Sequence, residues 1–226
     1  MNLILMCGGM GTRAKPYRKN LPKEMLPYKR FSKKPVIMEI IDSIAGYVND
    51  IIVCCGEDKK TMYEQIAAKF KTSERDVIWS KDSNSGIFYA LRSACKLSND
   101  DNIICFCDSW TDSINWFAKF CATTKPNGLL MLTENIEEKY RINYGCIVGK
   151  KYIDKSNETD LVPNRSFGVF YLNKNLKFGK NFNDLHDMYN ELLHKDMMGF
   201  VIGKSKHCYD VGNKHVWKKN IVCKKI

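Results

Sequence analysis

Gly8, Gly9, Gly11, Thr12, Arg13 and Lys23 are of types, and at spacings, suited to holding a polyphosphate. The apolar run Leu3-Ile4-Leu5-Met6 leads through Cys7 into Gly8-Gly9-Met10-Gly11-Thr12-Arg13, and Pro22-Lys23-Glu24-Met25-Leu26-Pro27 follows downstream. A glycine-rich turn at the end of a buried strand points several backbone N–H groups at an anion. Glycine lets that backbone approach closely, because no Cβ intervenes. Arg13 would add a planar, permanently charged fork and Lys23 a compact mobile charge. The string is not the phosphate loop G-x-x-x-x-G-K-[ST], since no Lys-Ser or Lys-Thr follows. Nor is it the dinucleotide fingerprint G-x-G-x-x-G, whose third glycine is replaced by Ala14. It points instead to chemistry on a nucleoside triphosphate.

Two carboxylates extend this set. Asp108 follows the apolar run Ile103-Ile104-Cys105-Phe106-Cys107. In open α/β sheets the carboxyl edge of the strands is where ligands bind. A carboxylate there can hold Mg²⁺, which usually takes one or two carboxylates plus substrate phosphates. A helix cap is the competing role, for which Ser109, Thr111 and Asp112 are also suited. Asp210, in Cys208-Tyr209-Asp210-Val211-Gly212, likewise ends an apolar run before a glycine. An ordinary turn aspartate is its alternative, and spacing alone does not bring it to Asp108.

The amino-terminal string resembles the signature of the sugar-nucleotide nucleotidyltransferases, G-G-x-G-T-R followed by P-K-x-x-x-P, with Ala14 where that family usually has Leu. The resemblance implies an α/β fold: a three-layer α/β/α sandwich with a mixed, mostly parallel Rossmann-like sheet of the nucleotide-diphospho-sugar transferase type. It implies a reaction that joins a nucleoside triphosphate to a sugar-1-phosphate with release of pyrophosphate, using Mg²⁺ with Mn²⁺ as an alternative. The nucleotide site would comprise Leu5, Cys7, Gly8, Gly9, Met10, Gly11, Thr12, Arg13, Lys23 and Gly86, the last in a segment like the family's L-G-T-A-x-A-L. Lys23 would stabilise charge on the α-phosphate and Arg13 the departing pyrophosphate, as the two catalytic residues. Phe106-Cys107-Asp108 resembles the family's N-G-D, and Cys208 to Gly212 its W-x-D-I-G, so Asp108 and Asp210 would share the metal.

Three segments resemble sugar-phosphate contacts. Tyr144-Gly145 matches a Y-G pair, Tyr152 to Ser156 an F-x-E-K-P segment with Lys155 as its lysine, and Ser166-Phe167-Gly168-Val169 an N-A-G-I segment. Gly145, Lys155 and Gly168 are thus the expected acceptor residues. Ser166 and Phe167 depart from an ordinary hexose pocket. A cytidylyltransferase acting on phosphocholine or another small phosphomonoester is therefore the alternative. A non-catalytic nucleotide- or nucleic-acid-binding protein is the third reading, prompted by a net charge of +11. The lysines are dispersed and form no recognised nucleic-acid motif, which disfavours nucleic acid as a partner.

The elements that must position these residues alternate strand with helix, the pattern of parallel strands joined by crossover helices. Strands are expected at 2–7, 51–55, 77–80 and 102–107, with helices at 36–48, 58–71, 84–97 and 112–120. The second half reads as strands at 128–134, 144–149, 152–155 and 167–172, a helix at 183–195, strands at 198–203 and 207–210, and a last helix from about Asn213. The length of 226 residues suits one domain, and the resemblance implies that it is a single nucleotidyltransferase domain over 1–226, with a nucleotide-binding half over about 1–122 and a sugar-phosphate-binding half over about 123–226. Hydrophobic residues at 44% suffice for a sizeable core, and no apolar run reaches membrane-spanning length. Ten cysteines without a C-x-x-C pair, and four scattered histidines, point to buried free thiols rather than a disulfide framework or zinc site. The chain starts on a strand with no basic and apolar leader, so the expected location is cytoplasmic, with no membrane partner. A homo-oligomer stays open.

Overall fold

The computed structural model describes residues 1–9, 22–26, 34–70, 75–81, 86–134, 144–154, 164–176, 182, 184–205 and 208–210. Strands β1 (Asn2–Met6), β2 (Ile51–Cys55) and β4 (Asn102–Phe106) are continuous apolar runs, as strands covered on both faces require. With β3 (Val77–Lys81), β6 (Gly128–Thr133), β9 (Arg165–Leu172) and β10 (Gly199–Gly203) they form a seven-stranded sheet in the order β10-β6-β9-β4-β1-β2-β3. Only β9 runs antiparallel to its neighbours β4 and β6; the other pairings are parallel. The mixed, mostly parallel α/β sheet is therefore present.

Strand parity divides the core in two. Leu3, Leu5 and Cys7 pack with α1 (Val36–Ile44), α2 (Lys60–Phe70) and α4 (Ile114–Thr124) through residues such as Ile40, Ile66 and Phe117. Ile4 and Met6 point the other way, toward α3 (Ile87–Leu97) and α5 (Leu185–His194), where Phe88, Leu91 and Tyr189 are buried. Helices thus cover both faces and give three layers. Helix α1 buries Val36, Ile37, Ile40, Ile41 and Ile44, a stripe at helical spacing, and the Pro35 carbonyl accepts the first N–H bonds from Met38 and Glu39.

The expected helix at 36–48 is α1 followed by a 3₁₀ turn, Ala45–Tyr47. The one expected at 112–120 starts at Ile114 and runs on to Thr124, where Lys125 turns left-handed at φ +46°. A short strand, β5 (Ser109–Thr111), precedes it and was not foreseen. It pairs antiparallel with β11 (Cys208–Asp210), while β7 (Cys146–Val148) and β8 (Lys151–Ile153) form a separate hairpin. The helix expected from about Asn213 lies outside the described residues.

Candidate active site

β1 and β4 are parallel neighbours with Met6 across from Phe106. Their chains leave the sheet at one edge, so Cys7-Gly8-Gly9 and Cys107-Asp108 emerge side by side. The Cys107 N–H donates to the Met6 carbonyl at 3.2 Å, and the Cys7 thiol donates to Cys107 Sγ at 3.0 Å. A cleft of 340 Å³ opens at this edge, lined by Met6, Gly8, Gly9, Lys23, Gly86, Ile87, Ala90, Phe106 and Asp108.

Lys23 stands on a 3₁₀ turn, Lys23–Met25, entered through Pro22. Its ammonium donates to Asp108 Oδ2 at 2.5 Å, and Ser109 Oγ donates to the other carboxylate oxygen at 3.3 Å. The Lys23 side chain is 14% exposed and that of Asp108 30%, so the pair sits at the cleft wall within reach of solvent. Gly9 at φ +86° and Gly86 at φ +97° have left-handed backbone, which explains glycine there. Among the described residues, no group beyond the chain neighbours lies within 4 Å of where a Cβ would sit at either position. Gly86 also begins α3. Among the described residues no side chain caps the helix, and the Ala90 N–H donates to the Gly86 carbonyl. The amino-terminal N–H groups of the helix point its dipole's positive end at the cleft.

Behind the cleft lies a buried ion pair. The Lys59 ammonium donates to Glu24 Oε1 at 3.0 Å and to the Cys7 carbonyl at 2.5 Å. Lys59 is 3% and Glu24 1% exposed. Burial raises the Glu24 carboxyl above its ordinary pKa, against the opposing pull of Lys59 and Lys23.

Asp210 reaches this edge through the β5–β11 ladder, where its backbone is registered opposite Ser109, the residue after Asp108. The ladder is backed by buried hydroxyls. Ser205 bonds both Thr111 and Ser113, and the Cys208 thiol lies 3.3 Å from Thr133 Oγ1.

Of the expected nucleotide residues, Gly8, Gly9, Lys23 and Gly86 line one cleft together with Asp108. The Leu5 and Cys7 side chains lie fully buried beneath it. Met10, Gly11, Thr12 and Arg13 lie outside the described residues, as does Lys155. Gly145 and Gly168 are not among the residues that line the cleft, though Gly168 stands directly behind one that does. Gly168, at φ +73°, packs against the Phe106 ring, which does line the cleft. The Gly145 carbonyl accepts from the Ser166 N–H at 2.7 Å, and Tyr152 fills the space over Gly145. Tyr152 is fixed in turn by Asn190 of α5, whose side-chain amide bonds both its N–H and its carbonyl.

Met6, Ile87, Ala90, Glu24 and Lys59 were not among the expected site residues. The alternation along β1 could have identified Met6, which must face away from Leu5. Ile87 and Ala90 follow Gly86 on one side of a helix start. For the Lys59–Glu24 pair the sequence holds no signal, because both look like surface residues. Among the described residues, Asp184, His186 and Asp187 also place potential ligand atoms within 4.8 Å of one another. They lie on the first turn of α5, where Asp184 already caps the Asp187 N–H.

The model of a family described as nucleotidyl transferase matches residues 2–159, more than half of the chain. The bifunctional protein GlmU of Methanococcus maripaludis is 30% identical over 104 residues, which are 46% of this chain and 24% of that protein. UTP--glucose-1-phosphate uridylyltransferase 1 of Staphylococcus saprophyticus is 29% identical over 97 residues, covering 42% of this chain and 32% of that one. The chain thus spans only about a quarter to a third of the length of these relatives. In fold it is similar to the UTP-bound UGPase from Acinetobacter baumannii, with a TM-score of 0.75 and 16% identity over 96% of this chain and 90% of that one.

Proposed function

Because this chain belongs to the nucleotidyl transferase family, we propose that it joins a nucleoside triphosphate to a sugar-1-phosphate, releasing pyrophosphate and forming a nucleoside-diphosphate sugar. The observation that carries the reading is the Lys23–Asp108 pair, set in the wall of a cleft bordered by the glycine turn and the amino terminus of α3. UTP is the first donor to test, since the relatives' names include a UTP-dependent enzyme and a UTP-bound structure.

In this mechanism a phosphate oxygen of the acceptor attacks the α-phosphorus, and pyrophosphate leaves in line. Such a reaction needs positioning and charge neutralisation more than a protein nucleophile. The turn amides at Gly8 and Gly9 bind phosphate oxygens. Lys23, oriented by Asp108, presents its ammonium to the α-phosphate, and Arg13 stabilises the departing pyrophosphate. Asp108 and Asp210 fit a hard cation. Both offer oxygen donors, Asp108 lines the cleft, and the β5–β11 ladder brings the Asp210 backbone beside it. We assign them as ligands of Mg²⁺, or of Mn²⁺ in its place, which when bound neutralises phosphate charge at the reacting centre. Gly145, Lys155 and Gly168 belong to the acceptor side, in the half from about residue 123. The nucleotide is held by the half up to about residue 122.

A second reading keeps this chemistry and changes the acceptor. Phe106 places an aromatic ring in the cleft wall, and Tyr144 and Phe167 stack with centroids 5.1 Å apart. Aromatic faces suit a quaternary ammonium group, so phosphocholine is the alternative acceptor, with a cytidine donor. Among the described residues no helix is long and apolar enough to cross a membrane, and all nine described cysteines are free thiols. Free thiols in this number favour a reducing compartment, and we place the protein in the cytoplasm.

The test is a panel of nucleoside triphosphates against sugar-1-phosphates and phosphocholine, read by pyrophosphate release with and without Mg²⁺. Metal-dependent release with one sugar-1-phosphate supports the first reading. Release only with phosphocholine and CTP selects the second. No release with any pair overturns both and leaves a nucleotide-binding protein.

A further inference from the structure

The buried ammonium of Lys59 joins two segments that sequence keeps apart. One contact is the carbonyl of Cys7, the last residue before the glycine turn; the other is the carboxylate of Glu24, the residue after Lys23. Neither Lys59 nor Glu24 lines the cleft, and both are nearly inaccessible. Lys59 comes from the 3₁₀ turn Glu57–Lys59 that follows β2, and its ammonium meets the chain just past the end of the neighbouring strand β1. An ion pair this deep is not well explained by stability, since apolar residues of similar volume usually serve as well. What the pair does fix is register. It sets the distance between the mouth of the turn and the three-residue 3₁₀ turn that carries Lys23.

We propose that Lys59 is a positioning residue: by clamping Cys7 to Glu24 it holds the Lys23 ammonium in the cleft against Asp108. The proposal rests on the nucleotidyltransferase reading for what Lys23 does, but not for where Lys23 sits. A lysine displaced by as little as an ångström from a reacting phosphate forfeits much of its effect. Removal of the clamp should therefore lower turnover without removing any group that touches substrate.

The decisive variant is the double substitution Lys59→Met/Glu24→Met. It removes both charges together, keeps side-chain volume and leaves no buried charge uncompensated. Two readouts are taken on protein shown to be folded by circular dichroism. One is pyrophosphate release. The other is the rate at which Lys23 is acetylated by N-hydroxysuccinimidyl acetate, followed by peptide mass spectrometry, which needs no turnover. The expected result is a fall in kcat of about tenfold or more, with KM for the triphosphate changed by less than about threefold, and faster acetylation of Lys23. Should the double variant fail to fold, Lys59→Met/Glu24→Gln, which likewise breaks the clamp and leaves no buried charge uncompensated, is carried through the same measurements with the same expectation. Wild-type acetylation of Lys23 in a folded variant overturns the proposal, whatever happens to kcat. Faster acetylation in a variant whose wild-type parent turns over no substrate pair sustains the clamp and rejects the nucleotidyltransferase reading alone.

Discussion

Asp210 lies across from Ser109 in the antiparallel β5–β11 ladder, one residue along from Asp108. Two aspartates a hundred positions apart in sequence are thereby brought to one edge of the sheet by strands of three residues each. So short a ladder contributes few hydrogen bonds of its own. The buried hydroxyls of Thr111, Ser113 and Ser205 supply the rest, fastening β5 to the segment that leads from β10 into β11. A half-satisfied buried polar network costs stability, so this one must stay complete to hold the register.

From that arrangement follows a prediction about the metal. Asp108→Asn and Asp210→Asn should each raise the Mg²⁺ concentration for half-maximal pyrophosphate release by about tenfold or more, with the fold retained. If the two carboxylates share one ion, the double variant should lose less than the sum of the singles, with a coupling of roughly 0.5–3 kcal/mol. Mg²⁺ titrations of all four proteins check this. Strict additivity would mean that the aspartates act separately.

Lys23→Ala tests the other half of the pair. Loss of one preorganised charge contact typically costs about 10²–10³ in rate. Stability should change by less than about 1 kcal/mol, because the partner Asp108 keeps access to solvent. Turnover measured beside a thermal melt separates the two effects. Wild-type activity in a folded Lys23→Ala protein would remove Lys23 from the mechanism.

The sheet was legible because its strands are continuous apolar runs and its helices carry apolar stripes, both local signals. The glycine turn and Asp108 were legible for a different reason: each follows the end of a strand, and strand ends are easy to locate. Lys23 stands on a 3₁₀ turn and was legible only through the P-K-x-x-x-P string that carries it. β5 was not, since Ser109-Trp110-Thr111 is too short and too polar to signal a strand without β11 beside it. The Lys59–Glu24 pair was hidden because burial of a charge depends on a partner 35 positions away, and nothing in either local segment marks it. Phe106 drew notice only as a departure from N-G-D. Its place in the cleft follows from its pairing with Met6 at the end of β4.

Gly168→Ala should be destabilising on two counts. The residue has φ +73°, where a side chain is strained, and an added Cβ would run into the Phe106 ring. A cost of roughly 1–3 kcal/mol is expected from backbone strain alone. Adding Phe106→Ala to Gly168→Ala should relieve the collision but not the strain, so the double variant should recover less than the full loss attributable to Gly168→Ala. Urea unfolding of Gly168→Ala, Phe106→Ala and the double variant, each against the wild type, measures this.

The buried thiols predict how stability responds to alkaline pH. Burial pushes Cys55, Cys95 and Cys121 up to about 12, and also raises Cys105 and Cys107 well above the ordinary thiol range. An unfolded cysteine ionises near 8.5. The folded state therefore holds these protons more tightly than the unfolded state. Stability from this source is complete below about pH 8.5 and declines as pH rises toward the folded values, by roughly 1.4 kcal/mol per pH unit for each thiol in the window. Urea midpoints should accordingly be flat in this respect up to about pH 8 and fall between pH 9 and 11. Buried tyrosines raised by desolvation, Tyr152 and Tyr189, add to the fall at the upper end. Replacing Cys105 by Val, which fills the same strand position without an ionisable group, should make the decline shallower by about one thiol's share. An unchanged slope in that variant would mean that Cys105 ionises alike in both states. The same protection should keep the buried cysteines silent to a thiol reagent at pH 8 in the native protein, and release them when it is unfolded in denaturant.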